Sequence, residues 1–87
     1  MKLKYKSAPV AGQTFSVTAL DFKGSVGILI TVGGVVVAKK ECPDPPCHEM
    51  LKIAQDAGGK GLQVIARDSD GNAVSYTHLT LPTTPYV

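Results

Sequence analysis

The residues of this 87-residue chain with the most reactive side chains, two cysteines and a histidine, lie close together in one segment. Cys42 and Cys47 enclose four residues, and His48 follows directly. Two thiols at this spacing form a disulfide when the loop between them brings their Cα atoms within ~4.4–6.8 Å of each other. Closing such a loop stabilises a small domain by roughly 2 kcal/mol. We therefore predict a structural disulfide between Cys42 and Cys47, on a protruding loop that three prolines stiffen.

The same residues leave a second interpretation open, in which Cys42, Cys47 and His48 bind a metal or carry out thiol redox chemistry. Structural zinc sites need four ligands, usually as two separated pairs, and the sequence offers no second pair. Thioredoxin-type thiols are separated by two residues at a helix N-terminus, which this segment does not match. Free, unreactive cysteines in a reducing compartment are a third possibility. His48 itself is predicted to face solvent at the start of a strand.

An acidic turn at residues 68–72 contains the other potential ligands. Asp68, Asp70 and Asn72 offer three oxygen ligands for calcium, and Asp21 could lie near them. An EF-hand loop, however, has glycine at its sixth position and glutamate at its twelfth, whereas Gly71 is the fourth residue here and no such glutamate follows. The spacing instead predicts a hairpin turn with an Asp-Gly tip. We predict no bound metal, no cofactor and no catalytic residues.

The composition limits the possible classes of protein. The length allows one small domain, and 44% hydrophobic with 18% charged residues excludes a disordered chain. The net charge of +2, with scattered lysines, does not favour a nucleic-acid partner. The longest apolar run, residues 35–38, is far shorter than the ~20 residues of a membrane helix, so no membrane insertion is expected. The alternation of Lys2, Lys4 and Lys6 is typical of a protected edge strand.

Hydrophobic alternation predicts strands at Thr14–Leu20 and at residues 25–32 and 61–67. The pair Gly33-Gly34 predicts a two-residue hairpin that leads into a strand at residues 35–40. Shorter strands are expected at residues 3–6 and 48–54, although residues 47–57 could also begin a helix after Pro46.

These strands recur every 8–12 residues or so, with turn signals between them, which predicts an all-β antiparallel sandwich. The inward-facing positions of the three alternating strands predict its core. A sandwich this small is filled by its own side chains and leaves little room for a ligand cleft of ~300 Å³ or more. The predicted core residues are Phe15, Val17, Ala19, Val26, Ile28, Ile30, Val32, Leu62, Val64 and Ala66.

Several segments in order resemble a bacterial immunoglobulin-like domain over about residues 9–72. They are AGQTF at residues 11–15, the loop at 21–24, the VGILITVGGVVV hairpin and the strand ending ARDSDGN at 66–72. The resemblance implies a non-catalytic module of a longer secreted or cell-surface protein, although no signal peptide is visible. Such modules act as spacers or as adhesive or carbohydrate-binding units. Their partners are neighbouring domains and carbohydrate or protein surfaces.

The C-terminal segment resembles a laboratory sequence. Residues 74–83, VSYTHLTLPT, are identical to one reading frame of a transposase-based sequencing adapter. We therefore expect residues 1–73 to be an incomplete immunoglobulin-like domain from an assembled short-read, metagenomic gene fragment. Residues 74–87 would be a non-native read-through tail, so His78, Tyr76 and Tyr86 carry no functional argument. Residues 74–81 could still fill the empty sheet edge, and residues 82–87 are expected to be disordered.

Overall fold

The computed structural model describes residues 2–5, 8–22, 24–44, 46–78 and 80–81. These residues form seven antiparallel strands and one short 3₁₀ helix, Gln55–Ala57. None of the helices in the described part of the chain is long and apolar enough to cross a membrane. The strands are β1 Lys2–Tyr5, β2 Thr14–Leu20, β3 Val26–Val32, β4 Val35–Cys42, β5 Cys47–Lys52, β6 Leu62–Asp68 and β7 Ala73–His78.

Two sheets pack against each other, which confirms the predicted all-β sandwich. One sheet has the strand order β1-β2-β5, and the other has the order β4-β3-β6-β7. The chain crosses between the sheets after β2, after β4 and after β5. Because each sheet has one apolar face, the two faces are shielded from water only when they stack on each other.

The core lies between the sheets and contains all ten predicted residues, each of them buried. Alternation predicted them correctly because successive side chains of a strand point to opposite faces. The described residues include no buried polar or charged side chain. Alternation did not predict the further buried residues Pro9, Ala11, Phe22, Cys47, Ile53, Ala57 and Leu81, most of which lie in loops or at strand ends.

Strand boundaries differ modestly from those expected. β4 extends two residues further, to Cys42, and carries a bulge opposite Ile30 and Thr31. β5 is a strand and not the alternative helix, because its residues 47–52 pair continuously with β2. β1 begins at Lys2, and the expected strand residue Lys6 lies outside the described residues. The hairpin between β3 and β4 turns at Gly33 and Gly34, whose φ angles of 59° and 81° suit a type I′ turn.

The pairing registers define two ends of the sandwich. Lys2 pairs with Leu20, and Cys47 pairs with the neighbouring Ala19, so β1 begins where β5 begins. We call this the disulfide end. At the opposite end, the Leu81 N–H donates to the carbonyl of Lys60 at 2.9 Å, next to the start of β6. The described chain thus enters at the disulfide end and leaves at the opposite end.

The C-terminal segment fills the edge of the four-stranded sheet. β7 pairs with β6 from Ala73↔Arg67 to His78↔Leu62, which is one of the two arrangements expected for residues 74–81. Val74 and Tyr76 are partly buried against the core, and Leu81 lies inside it. The origin of this segment as adapter read-through stays a prediction. The expected disorder of residues 82–87 concerns residues outside those described.

Candidate functional site

The predicted disulfide is confirmed, and it joins the two sheets. Cys42 ends β4 in the four-stranded sheet, and Cys47 begins β5 in the three-stranded sheet. Their Cα atoms lie 5.6 Å apart, within the range of ordinary disulfides. The bond therefore closes one lateral edge of the sandwich at a point where the chain crosses between sheets.

The loop that carries the disulfide protrudes only in part. Pro43, Asp44 and Pro46 are exposed, as expected for a proline-rich loop. Cys47, in contrast, has 0% exposure and belongs to the core. The reason is its register, because Cys47 pairs with the inward-facing Ala19 and so points between the sheets.

Cys47 and His48 point to opposite faces of β5. His48 is exposed on the outer face, where its Nδ1 is hydrogen bonded to Thr18 Oγ1 at 2.9 Å. The prediction of a solvent-facing His48 is therefore confirmed. Strand alternation keeps His48 away from the cysteine pair, so the three residues do not form a ligand set. Within the described ranges, no group of three or more His, Cys, Asp or Glu side chains is placed to hold a metal ion.

Asp68 organises the acidic turn by accepting three hydrogen bonds. Its Oδ1 accepts hydrogen bonds from the backbone N–H groups of Asp70 and Asn72, at 3.0 and 2.8 Å. Its Oδ2 accepts a third bond, from the Asn72 side-chain amide at 3.2 Å. Desolvation raises the pKa of Asp68, but the bonds from Asn72 and Asp70 outweigh it and hold the pKa below its ordinary value. The weak calcium candidates Asp68, Asp70 and Asn72 thus form a hydrogen-bonded hairpin turn.

An aromatic contact that the sequence did not indicate lies at the lateral edge away from the disulfide. Tyr5 of β1 and Tyr76 of β7 have ring centroids 4.5 Å apart, and Tyr5 also lies 6.3 Å from Phe15. Desolvation and the interaction with the Tyr5 phenol raise the pKa of Tyr76. Pairing registers bring these rings together, and no local motif marks them.

Among the described residues, three surface depressions reach or exceed the cleft size that we expected a small sandwich to lack, and two of them are lined in part by the core residues Val26 and Ile28. The largest, about 510 Å³, opens at the disulfide end and is bordered by Glu41, Arg67 and Asp68. A second, about 320 Å³, lies on the outer face of the four-stranded sheet around Leu29 and Ile65. The third, about 300 Å³, lies on the outer face of the other sheet and is lined by Lys4, Tyr5, Ser16, Thr18 and His48. Its lining contains no carboxylate beside His48.

The fold and these surfaces define a disulfide-closed β-sandwich with open depressions on its faces. Comparisons of the chain with protein-family models, curated proteins and solved structures gave no match.

Proposed function

We propose that the chain is a non-catalytic, immunoglobulin-like module of a longer secreted or cell-surface protein, where it holds neighbouring domains apart. The observation that carries the proposal is that β1 begins at the disulfide end, whereas the strand site beside β6, whatever sequence fills it, runs to the opposite end. Lys2 lies at the disulfide end, beside Leu20, and Leu81 lies at the opposite end, beside Lys60. A module with this geometry adds its own length to a tandem chain.

The strand order supports the immunoglobulin-like assignment. β2 lies between β1 and β5, while β3 and β6 form the centre of the other sheet between β4 and β7. Seven antiparallel strands divided between two sheets, with repeated crossovers, are the arrangement of immunoglobulin-like sandwiches. The resemblance at residues 9–72 points in the same direction.

The disulfide supports a secreted or cell-surface location. Disulfides persist in oxidising compartments, and small extracellular domains use them to supplement a limited core. Cys47 is buried, which shields the bond from solutes and suits a structural role better than a redox role. The alternative of a metal or thiol protein gains no support, because Cys42 and Cys47 are bonded and His48 faces away.

A fluorescence distance measurement tests the spacer role. In a fusion protein, the chain is placed between two folded donor and acceptor domains, one joined before Lys2 and one after the C-terminal segment. A rigid spacer gives a single narrow distance between donor and acceptor. The matched control replaces the chain with a Gly/Ser linker of equal length, which behaves as a flexible coil with a broad distance distribution.

Two further variants of the fusion protein make the result decisive. Replacement of Cys42 and Cys47 by alanine keeps the narrow distance below the unfolding transition, since the ends are set by the strands. Deletion of the whole sandwich brings the two fluorophores together. A distance distribution as broad as that of the Gly/Ser linker would overturn the spacer proposal.

A further inference from the structure

The outer face of the three-stranded sheet is charged with one sign. Lys2 and Lys4 pair with Leu20 and Thr18, which face outward because the alternating residues Val17 and Ala19 are buried. Lys52 of β5 lies on the same face, opposite Thr14. We call this surface the basic face; it is made by Lys2, Lys4, Ser16, Thr18, His48 and Lys52, together with the exposed Met50 opposite Ser16.

The described residues of the basic face include no carboxylate. The nearest acidic residue in β5 is Glu49, which pairs with the buried Val17 and therefore belongs to the other side of the sheet. Its Oε1 accepts a hydrogen bond from the Met50 N–H at 2.9 Å and so is directed along its own strand. Three lysine charges consequently face solvent, and the described residues of their own surface offer no partner of opposite sign.

Hydrogen-bonding groups continue the cross-strand row that begins at Lys4. Lys4, Thr18 and His48 are direct cross-strand neighbours on β1, β2 and β5. The His48 ring is held by its 2.9 Å bond to Thr18, which leaves Nε2 directed away from that bond. Together with Ser16, these residues line the depression of about 300 Å³, and Tyr5 borders it.

We infer that the basic face binds a linear acidic polysaccharide of the polyuronate type. This inference rests on the proposed role as a module of a secreted or surface protein and names the ligand class of that module. A polyuronate carries one carboxylate on each sugar ring, together with several hydroxyl groups. The carboxylates match the lysine ammonium groups, and the sugar hydroxyls match Ser16, Thr18 and His48 as donors and acceptors.

The basic face fits a polyuronate better than it fits a nucleic acid. Single-stranded nucleic acids bind to proteins through successive aromatic platforms that stack the bases, combined with a dense basic groove. The described residues of the basic face provide Tyr5 at its border only, with 45% exposure. Its lysines lie roughly 7 Å or more apart along the strands, a sparse pattern that suits one carboxylate per ring.

Binding to defined polymers tests the inference. The probes are polygalacturonate, its fully methyl-esterified form and a 20-nucleotide oligo-dT, each measured by isothermal titration calorimetry at low salt. The chain is expected to bind polygalacturonate and to lose that binding as salt screens the charges. The ester has the same sugar backbone without the charge, and it is expected not to bind.

Two variants locate the site. Lys4→Gln together with Lys52→Gln is expected to weaken polygalacturonate binding on the order of tenfold. The matched control, Lys39→Gln with Lys40→Gln, makes the same change of charge on exposed residues of β4 in the other sheet and leaves the affinity unchanged. Thr18→Val, which keeps the charge, is expected to weaken binding about threefold because it removes the hydroxyl that orients His48.

Several results would overturn the inference. One is that the esterified polymer binds as tightly as polygalacturonate. Another is that the Lys39/Lys40 substitutions weaken polygalacturonate binding as much as the Lys4/Lys52 substitutions do. A third is that oligo-dT binds as tightly as polygalacturonate. Failure of every polymer to bind would do the same. The donor–acceptor distance of the fusion protein is measured on the same variants. A preserved narrow distance without polymer binding refutes the basic face alone, whereas a broad distance refutes the spacer role whatever the polymers do.

Discussion

Tyr5 and Tyr76, which lie 71 positions apart in the chain, have ring centroids 4.5 Å apart and connect the edges of the two sheets. Their interplanar angle of 42° is a tilted arrangement of the kind that aromatic pairs favour. The disulfide closes the opposite lateral edge. The sandwich is therefore held at both sides, covalently between β4 and β5 and by aromatic contact between β1 and β7.

The tyrosine pair should contribute to stability as a unit. Tyr5→Leu and Tyr76→Leu keep apolar bulk at each position but remove the ring-to-ring contact. A double-mutant cycle by urea unfolding is expected to give a coupling energy of about 0.5–1.5 kcal/mol. The control cycle pairs Tyr5→Leu with Ser75→Ala, which faces the other side of β7 and should give no coupling. Additive effects of the two tyrosine substitutions would contradict the prediction.

The disulfide should stabilise the fold. Replacement of Cys42 and Cys47 by alanine is expected to lower the free energy of unfolding by roughly 2 kcal/mol, mainly by freeing the unfolded chain. The lost packing of the buried Cys47 sulfur adds to this. Reduction of the wild-type protein should lower the urea midpoint in the same direction. An unchanged midpoint in both experiments would remove the stabilising role.

The Asp68 turn should make stability depend on pH in the acidic range. The pKa of Asp68 in the folded protein is below the pKa of an ordinary aspartate. The ionised carboxylate therefore stabilises the fold at pH values above the ordinary aspartate pKa. This contribution is lost as the pH falls below about 4 and the carboxylate becomes protonated. Asp68→Asn is expected to lower the urea midpoint at pH 7 and to flatten its decline below pH 4. Asp70→Asn is the control, because Asp70 contributes its backbone N–H to the turn. An equal effect of both substitutions would be inconsistent with this account.

The C-terminal segment should be replaceable by any sequence that keeps its burial pattern. Val74, Tyr76 and Leu81 pack on or in the core, whereas Ser75 and Thr77 face outward. A new tail with apolar residues at those three positions and different polar residues elsewhere is expected to retain the wild-type urea midpoint. Deletion of residues 74–87 should destabilise the domain by about 2 kcal/mol or more, since it removes the buried Leu81 and exposes the edge of β6.

A second replacement tail, with the amino-acid composition of the pattern-matched tail but the opposite burial pattern, tests the origin of this segment. In it, polar residues take positions 74, 76 and 81, and apolar residues take positions 75 and 77. We expect it to destabilise the fold as strongly as deletion does. If the pattern-matched tail also failed to restore the midpoint, specific side chains of this segment would be needed, and its origin as adapter read-through would be refuted.

The sequence predicted what depends on local alternation and left open what depends on pairing. The ten core residues of β2, β3 and β6 follow from period-two burial, which is a property of each strand alone. Alternation puts Cys47 and His48 on opposite faces, but the register of β5 against β2 decides that Cys47 is the one that faces inward. Ile53 and Leu81 lie outside the strands, and they are buried because β5 and β7 lead them back over the core. The basic face likewise required the pairing of Lys4, Thr18 and His48 across three strands.

The placement of the chain ends has a mechanical consequence. A force applied at Lys2 and Leu81 pulls β1 out past the disulfide end and β7 out past the opposite end, in each case along the strand axis. The hydrogen bonds that join β1 to β2 and β7 to β6 run perpendicular to that direction. All the hydrogen bonds of each strand pair therefore bear the force together, in shear. They do not break one after another, as they do when a hairpin is pulled apart from its open end. A tether built from this sandwich would therefore resist tension with whole strand pairs.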